Sequence, residues 1–176
     1  DYGADRDLRD GTTLPQEAIE DFRDNYQAIL FGAVGDPRVP DSRHAREILL
    51  ALRFQLDQYV NLRPVKLLAD RFSPLVGKGT KEIDATFFRE NTEGVYVDVG
   101  GTFKQGTPDE IAVNEDVNSR KGVERICRAA CEYARRHGVG TVWMSDKSNA
   151  MRHAGGLWQR VWKELAAEYA DLDLRH

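Results

Sequence analysis

Apolar residues recur along this chain in two rhythms, and where the rhythm changes Gly, Pro or Asp stands at the break. Thr12-Thr13-Leu14-Pro15-Gln16-Glu17 offers a helix start with proline in the first turn, and Ile19 and Phe22 begin an apolar face, so a helix is expected over residues 15–24. Gln27-Ala28-Ile29-Leu30-Phe31-Gly32-Ala33 is an apolar run closed by Gly35-Asp36-Pro37 and Pro40, which reads as a buried strand. Over residues 44–58 the period returns to that of a helix. Ala45, Ile48, Leu52 and Leu56 share the face expected to pack on a sheet, and Arg46, Leu49, Leu50 and Arg53 form another.

Residues 59–68 and 83–88 read as strands around a Gly-rich loop at 74–80. A short strand at 95–99, a Gly/Pro-rich excursion to Asp109 and a strand near 110–117 suggest an antiparallel ribbon. The strongest helical pattern covers residues 119–137, with Val123, Ile126, Cys127, Ala130 and Ala134 on one face and Gly138 as its stop. A strand at 141–145 and a last helix over 155–169, carrying Trp158 and Trp162, follow. Strand, loop and helix alternate throughout, so the fold class is α/β, an open mixed sheet with flanking helices.

Composition narrows the function classes. No apolar run approaches the ~18 residues needed to cross a bilayer, and no charged-then-apolar signal opens the chain, so a cytoplasmic protein without a membrane partner is expected. The net charge of −4 argues against nucleic acid as a partner. The charge is uneven, however. Ten Lys/Arg against six Asp/Glu lie between Arg38 and Arg89, which suits a small anionic ligand or simply a solvated surface. Cys127 and Cys131, four apart in a helical stretch, read as small reduced hydrophobes rather than a disulfide or metal site.

Three constellations carry chemistry. Leu49 and Leu50 precede Arg53 by four and three residues, which puts two branched side chains beside one guanidinium. Such a wall can grip a carboxylate and contact an alkyl branch of the same ligand, although a lone arginine on an amphipathic helix also fits a surface role. Arg63 and Arg89 lie within or at the end of apolar strands, where a charge needs a partner. With Arg53 they suit a dicarboxylate. Second, Arg89-Glu90-Asn91-Thr92-Glu93-Gly94-Val95-Tyr96 places a tyrosine after a polar loop. A phenol stays protonated at neutral pH and can deliver a proton to an enolate carbon; a sheet-edge tyrosine is the other reading. Third, Trp143-Met144-Ser145-Asp146-Lys147-Ser148-Asn149 ends an apolar strand in charged and amide groups, where ligands of open α/β sheets bind.

In order and wording these segments resemble the isocitrate/isopropylmalate dehydrogenase family across the whole chain. Phe31-Gly32-Ala33-Val34-Gly35-Asp36-Pro37, Leu49-Leu50-Ala51-Leu52-Arg53, Asn61-Leu62-Arg63-Pro64, the Arg89–Tyr96 segment and Asp146-Lys147-Ser148-Asn149 carry the likeness. It implies NAD-dependent oxidation of a malate-type hydroxyl, decarboxylation, and protonation of the resulting enolate. By position, Arg53, Arg63 and Arg89 would bind the substrate carboxylates, Tyr96 would protonate the enolate carbon, and Lys147 would assist hydroxyl deprotonation from the neighbouring subunit of a homodimer. Gly35, Asp36 and Pro37, with Asn149 from across the dimer, would contact NAD, and Mg²⁺ or Mn²⁺ would act as Lewis acid. The apolar pair Leu49 and Leu50 implies an alkyl branch on the malate, which favours 3-isopropylmalate, a leucine-biosynthesis substrate, over isocitrate.

Val99-Gly100-Gly101-Thr102-Phe103 also resembles tartrate dehydrogenases, and a homoisocitrate enzyme, a non-catalytic regulatory subunit or a dimerisation module are the other readings. Family members are roughly twice as long, with metal-binding aspartates beyond the position of His176. The resemblance therefore implies that residues 1–58 are part of a dinucleotide-binding domain and 59–176 an incomplete substrate-binding and dimerisation domain, with no metal ligand assigned and no activity alone.

Overall fold

The computed structural model describes residues 2–176, the side chain of Asp41 apart. The chain divides into two compact units, Asp1–Gln58 and Tyr59–His176.

In the first unit, α1 (Ala4–Asp10), which the sequence pattern did not suggest, ends at Gly11 in the left-handed region with φ 70°. Its Asp7 carboxylate is buried and accepts from the Arg43 guanidinium at 2.9 and 3.2 Å, which ties α1 to α3 (Arg43–Gln55). Helix α2 (Gln16–Asn25) begins directly after Pro15 and buries Ala18 and Ile19. On α3 the expected face is the inner one: Ile48 and Leu52 are buried, and His44 beside them meets the Val34 carbonyl at 2.5 Å. The strand expected over residues 27–33 does not form, and Leu30 is fully exposed. A strand exists only as one side of a ladder, and among the described residues of this unit no second strand is present to pair with it. Helix α3 accordingly packs against α1 rather than on a sheet.

In the second unit, β1 (Val60–Lys66) and β2 (Asp84–Glu90) pair antiparallel, Val60 opposite Glu90 and Lys66 opposite Asp84. The bonds from Asn91 N–H to the Tyr59 carbonyl and from Leu67 N–H to the Ile83 carbonyl, each 3.0 Å, bracket this ladder. They put the bonded pairs at odd-numbered residues, so Pro64 sits at a non-bonded position and its missing N–H costs no rung. The strand expected over residues 95–99 does not form; Val95–Val97 make a 3-10 turn instead. The ribbon forms one step later from β3 (Gly100–Phe103) and β4 (Ile111–Asn114), and all eight of its residues are exposed.

Helix α4 (Arg120–His137) is capped at both ends. The Ser119 hydroxyl accepts from the Gly122 N–H, and Gly138 closes the helix at φ 67°. Strand β5 (Thr141–Trp143), helix α5 (Arg152–Glu168) and β6 (Asp173–Arg175), the last also unforeseen, make a parallel strand–helix–strand unit. Among the described residues parallel and antiparallel pairing are thus both present, divided among three two-stranded sheets. Val123, Ile126, Cys127 and Cys131 of α4 meet Val161, Trp162 and Leu165 of α5 in the core, with Phe88 of β2 and Val142 of β5 packed against them. Arginines of α4 also reach acidic side chains of α5, Arg120 to Glu164 and Arg128 to Glu168.

Candidate active site

Antiparallel register decides which polar groups share a face. Arg63 lies opposite Phe87, and Arg89 opposite Asn61. Side chains alternate with period two, so Arg63 and Arg89 are diagonal neighbours on one face of the β1–β2 ribbon. The Asn61 side chain orders that face: its carbonyl accepts from Arg63 Nε at 2.9 Å, and its amide donates to Asn91 Oδ1 at 3.1 Å. Beyond the ladder the chain turns back at Gly94, and the Tyr96 ring comes to lie against Arg89, the guanidinium carbon 4.8 Å from the ring centroid. Stacking fixes the plane of the guanidinium and leaves its edge, where the N–H donors are, for a carboxylate. The Tyr96 side of this group borders a groove of about 990 Å³ along β2. Arg63 and Arg89 therefore share a face, and Arg89 meets Tyr96.

A buried network holds the strand end in place. Glu90 accepts from the Thr92 N–H and hydroxyl at 2.8 Å each, from the Glu93 N–H at 2.7 Å and from Arg125 of α4 at 3.0 Å. The Arg125 guanidinium also lies over the Tyr59 ring at 4.5 Å. Sequence reasoning missed Asn61, Glu90, Asn91 and Arg125. The spacing of Asn61 and Arg63, two apart on a strand, could have placed Asn61 on the arginine face; nothing in the sequence points to Arg125.

The remaining site residues lie on other elements. Lys147 and Asn149 lie exposed in the turn after β5, which the Lys147 carbonyl closes by accepting from Met151 N–H at 2.8 Å. Asp146 anchors that turn through the Ser148 N–H at 3.0 Å and Gln159 at 3.3 Å. Burial pushes the Asp146 carboxyl up, but the hydrogen bonds from Ser148, Gln159 and His176 together outweigh it, and the net shift is downward. Arg53 is on α3 in the first unit, half-buried, with Leu49 exposed and Leu50 half-buried one turn before it. In the Gly35-Asp36-Pro37 loop, Asp36 accepts from the Arg38 side chain at 2.9 and 2.7 Å, which holds its carboxyl down at about 2. Among the described residues no three His, Cys, Asp or Glu side chains come together as a metal site.

The family model described as isocitrate/isopropylmalate dehydrogenase matches residues 2–176. The chain belongs to the isocitrate/isopropylmalate dehydrogenase family. Among its curated relatives, the 3-isopropylmalate dehydrogenase of Thermobifida fusca (strain YX) is 43% identical over 174 residues, 99% of this chain and 49% of that protein. The 3-isopropylmalate dehydrogenase of Frankia casuarinae is 44% identical over 178 residues, 100% of this chain and 51% of that protein. The chain thus spans about half the length of these relatives. The crystal structure of isocitrate dehydrogenase from Methylococcus capsulatus matches with TM-score 0.73 and 27% identity over 99% of this chain and 49% of that one. The TT0538 protein from Thermus thermophilus matches with TM-score 0.71 and 30% identity over 99% of this chain and 33% of that one.

Proposed function

We propose that this chain supplies the carboxylate-binding and proton-donating part of an NAD-dependent enzyme that oxidatively decarboxylates 3-isopropylmalate to 2-oxoisocaproate, a step of leucine biosynthesis in the cytoplasm. The observation that carries the proposal is that Arg63 and Arg89 share one face of the β1–β2 ribbon, with the Tyr96 ring against Arg89. Two guanidinium groups on one face match the two carboxylates of a malate core, and a phenol beside them matches the carbon that must be protonated. Arg53 is the third carboxylate ligand, and Leu49 and Leu50 contact the isopropyl branch.

The chain's own residues account for binding and for two proton transfers. Arg63 and Arg89 orient the substrate. Lys147, from the partner subunit of a homodimer, receives the hydroxyl proton as the carbinol carbon is oxidised. The bond to the departing carboxylate then breaks, carbon dioxide leaves, and its bonding pair forms the enolate. Tyr96 gives its hydroxyl proton to the enolate carbon. NAD, when bound against Gly35, Asp36, Pro37 and Asn149, supplies the hydride acceptor. Mg²⁺ or Mn²⁺ finds no donor cluster among the described residues, and no step is assigned to it.

The full encoded polypeptide, assayed with NAD⁺ and Mg²⁺, is expected to form NADH faster from 3-isopropylmalate than from isocitrate or tartrate. Preference for either control would overturn the reading of Leu49 and Leu50, and no NADH from any of the three would overturn the enzymatic reading itself.

A further inference from the structure

A proton donor on a loop needs something to hold it, and the β1–β2 ladder stops short of Tyr96: its last bond is from Asn91 N–H to the Tyr59 carbonyl. Two other attachments fix the segment in between. Gly94 forms an isolated bridge to Val117, donating at 2.8 Å and accepting at 3.4 Å, in a backbone conformation with φ 76° that a side chain would strain. One residue earlier, Glu93 reaches the start of α4, accepting the Ser119 N–H at 2.8 Å and the Ser119 hydroxyl. The same Ser119 oxygen caps the helix by accepting the Gly122 N–H at 2.9 Å.

Gly122 is the counterpart of this contact. Gly122 stands in the first turn of α4, where a methyl group would overlap the Glu93 carboxylate. The segment that receives Glu93 is itself fixed, because Trp158 of α5 donates to Asn118 Oδ1 at 2.8 Å. The backbone of Arg89, in contrast, is held within the ladder opposite Asn61, although its guanidinium lies against the Tyr96 ring.

We propose that Glu93, received by Ser119 and admitted by Gly122, is a positioning residue that sets Tyr96 for proton delivery, while Arg63 and the backbone of Arg89 stay in the β1–β2 ladder. The proposal rests on the dehydrogenase reading above. It makes chemistry more sensitive than binding: loss of the Glu93 contact lets the Tyr96 turn shift and costs Arg89 its ring contact, while the strands that carry both arginines stay paired. Misplacement of a reacting group by about 1 Å can cost on the order of 100-fold in rate.

The test uses the full encoded polypeptide and its Glu93→Ala, Glu93→Gln, Gly122→Ala and Glu93→Ala/Gly122→Ala variants, turning over 3-isopropylmalate in D₂O. For Glu93→Ala, kcat is expected to fall roughly 10- to 100-fold, with KM rising no more than about fivefold for the lost Arg89–Tyr96 stacking. Deuterium at the new methylene carbon, delivered in a single configuration by the wild type, is expected to appear as a mixture. Glu93→Gln, which keeps an acceptor for the Ser119 N–H, should recover part of both. Gly122→Ala should reproduce the loss, and the double variant should be no worse than Glu93→Ala, because removing the carboxylate makes room for the methyl group.

Unchanged kcat and configuration in Glu93→Ala, or a parallel loss in kcat and rise in KM across the variants, overturns the proposal while an active wild type leaves the dehydrogenase reading standing. A wild type that oxidises none of the malates removes both. If Glu93→Ala does not fold, Glu93→Gln and Gly122→Ala decide the matter by the same two readouts.

Discussion

Replacing Glu90 by Ala removes one side of a buried charge pair and three further acceptor contacts at once. The Glu90 side chain is 8% exposed and that of Arg125 18%, so the guanidinium left behind stays largely out of water. Losing one partner of such a pair costs about 3–5 kcal/mol, most of it the desolvation of the abandoned charge. The orphaned N–H groups of Thr92 and Glu93 lie at the strand end, half-buried, and add to the loss. With a urea dependence of about 1–3 kcal/mol per M for a small domain, the midpoint should fall by on the order of 1–5 M. All three tryptophans, Trp143, Trp158 and Trp162, lie in the Tyr59–His176 unit, so their fluorescence during urea unfolding reports that unit alone. The contrast is Glu168→Ala: its pair with Arg128 is 51% and 37% exposed, and its loss should barely move the midpoint. A Glu90→Ala midpoint no lower than that of Glu168→Ala would refute the claim that the Glu90–Arg125 pair fastens β2 to α4.

Three further outcomes follow from burial and charge. Leu165→Ala, at a position 1% exposed between α4 and α5, should lower the stability of the second unit by about 2–5 kcal/mol in the same urea titration. Burial pushes the Cys127 thiol up to about 12, and burial, partly offset by Arg135 and Arg128, pushes Cys131 up to about 11. Neither should react with iodoacetamide at pH 8 until the protein unfolds. Because the folded values are raised, the stability they contribute is complete below about pH 8.5, the unfolded thiol value, and is lost as pH rises toward 11–12. The hydrogen bond from Arg38 lowers Asp36 to about 2, so its contribution is complete above about pH 4 and is lost as pH falls toward 2. In an NMR titration, Arg38→Gln should return the Asp36 carboxyl toward about 3.9.

What was legible in the sequence followed from local rules. The period-3.6 stripes of α3 and α4, the proline start of α2 and the glycine stop of α4 each depend on neighbours in the chain, and each element formed where its pattern stood. Residues 27–33 failed for a non-local reason, since an apolar run becomes a strand only when another strand accepts its hydrogen bonds. The turn at Val95–Val97 was misread for a related one: Gly94 at positive φ and the Gly94–Val117 bridge bend the chain before β3 can begin. In the site, Arg63, Arg89 and Tyr96 were visible as charged or phenolic groups beside apolar strands. Their support was not, because Arg125 lies thirty-five residues from Glu90 and Ser119 twenty-six from Glu93, distances that only the folded chain closes.

The central claim is that the arginine face of β1 and β2 receives the carboxylates of a malate-type substrate. The direct measurement is the steady-state rate of NADH formation from 3-isopropylmalate by the full encoded polypeptide and by its Arg89→Gln variant. A charge-assisted hydrogen bond is worth about 1.5–3 kcal/mol, so kcat/KM should fall roughly 10- to 150-fold, with melting temperature unchanged. An Arg89→Gln variant that keeps the wild-type kcat/KM would contradict the account.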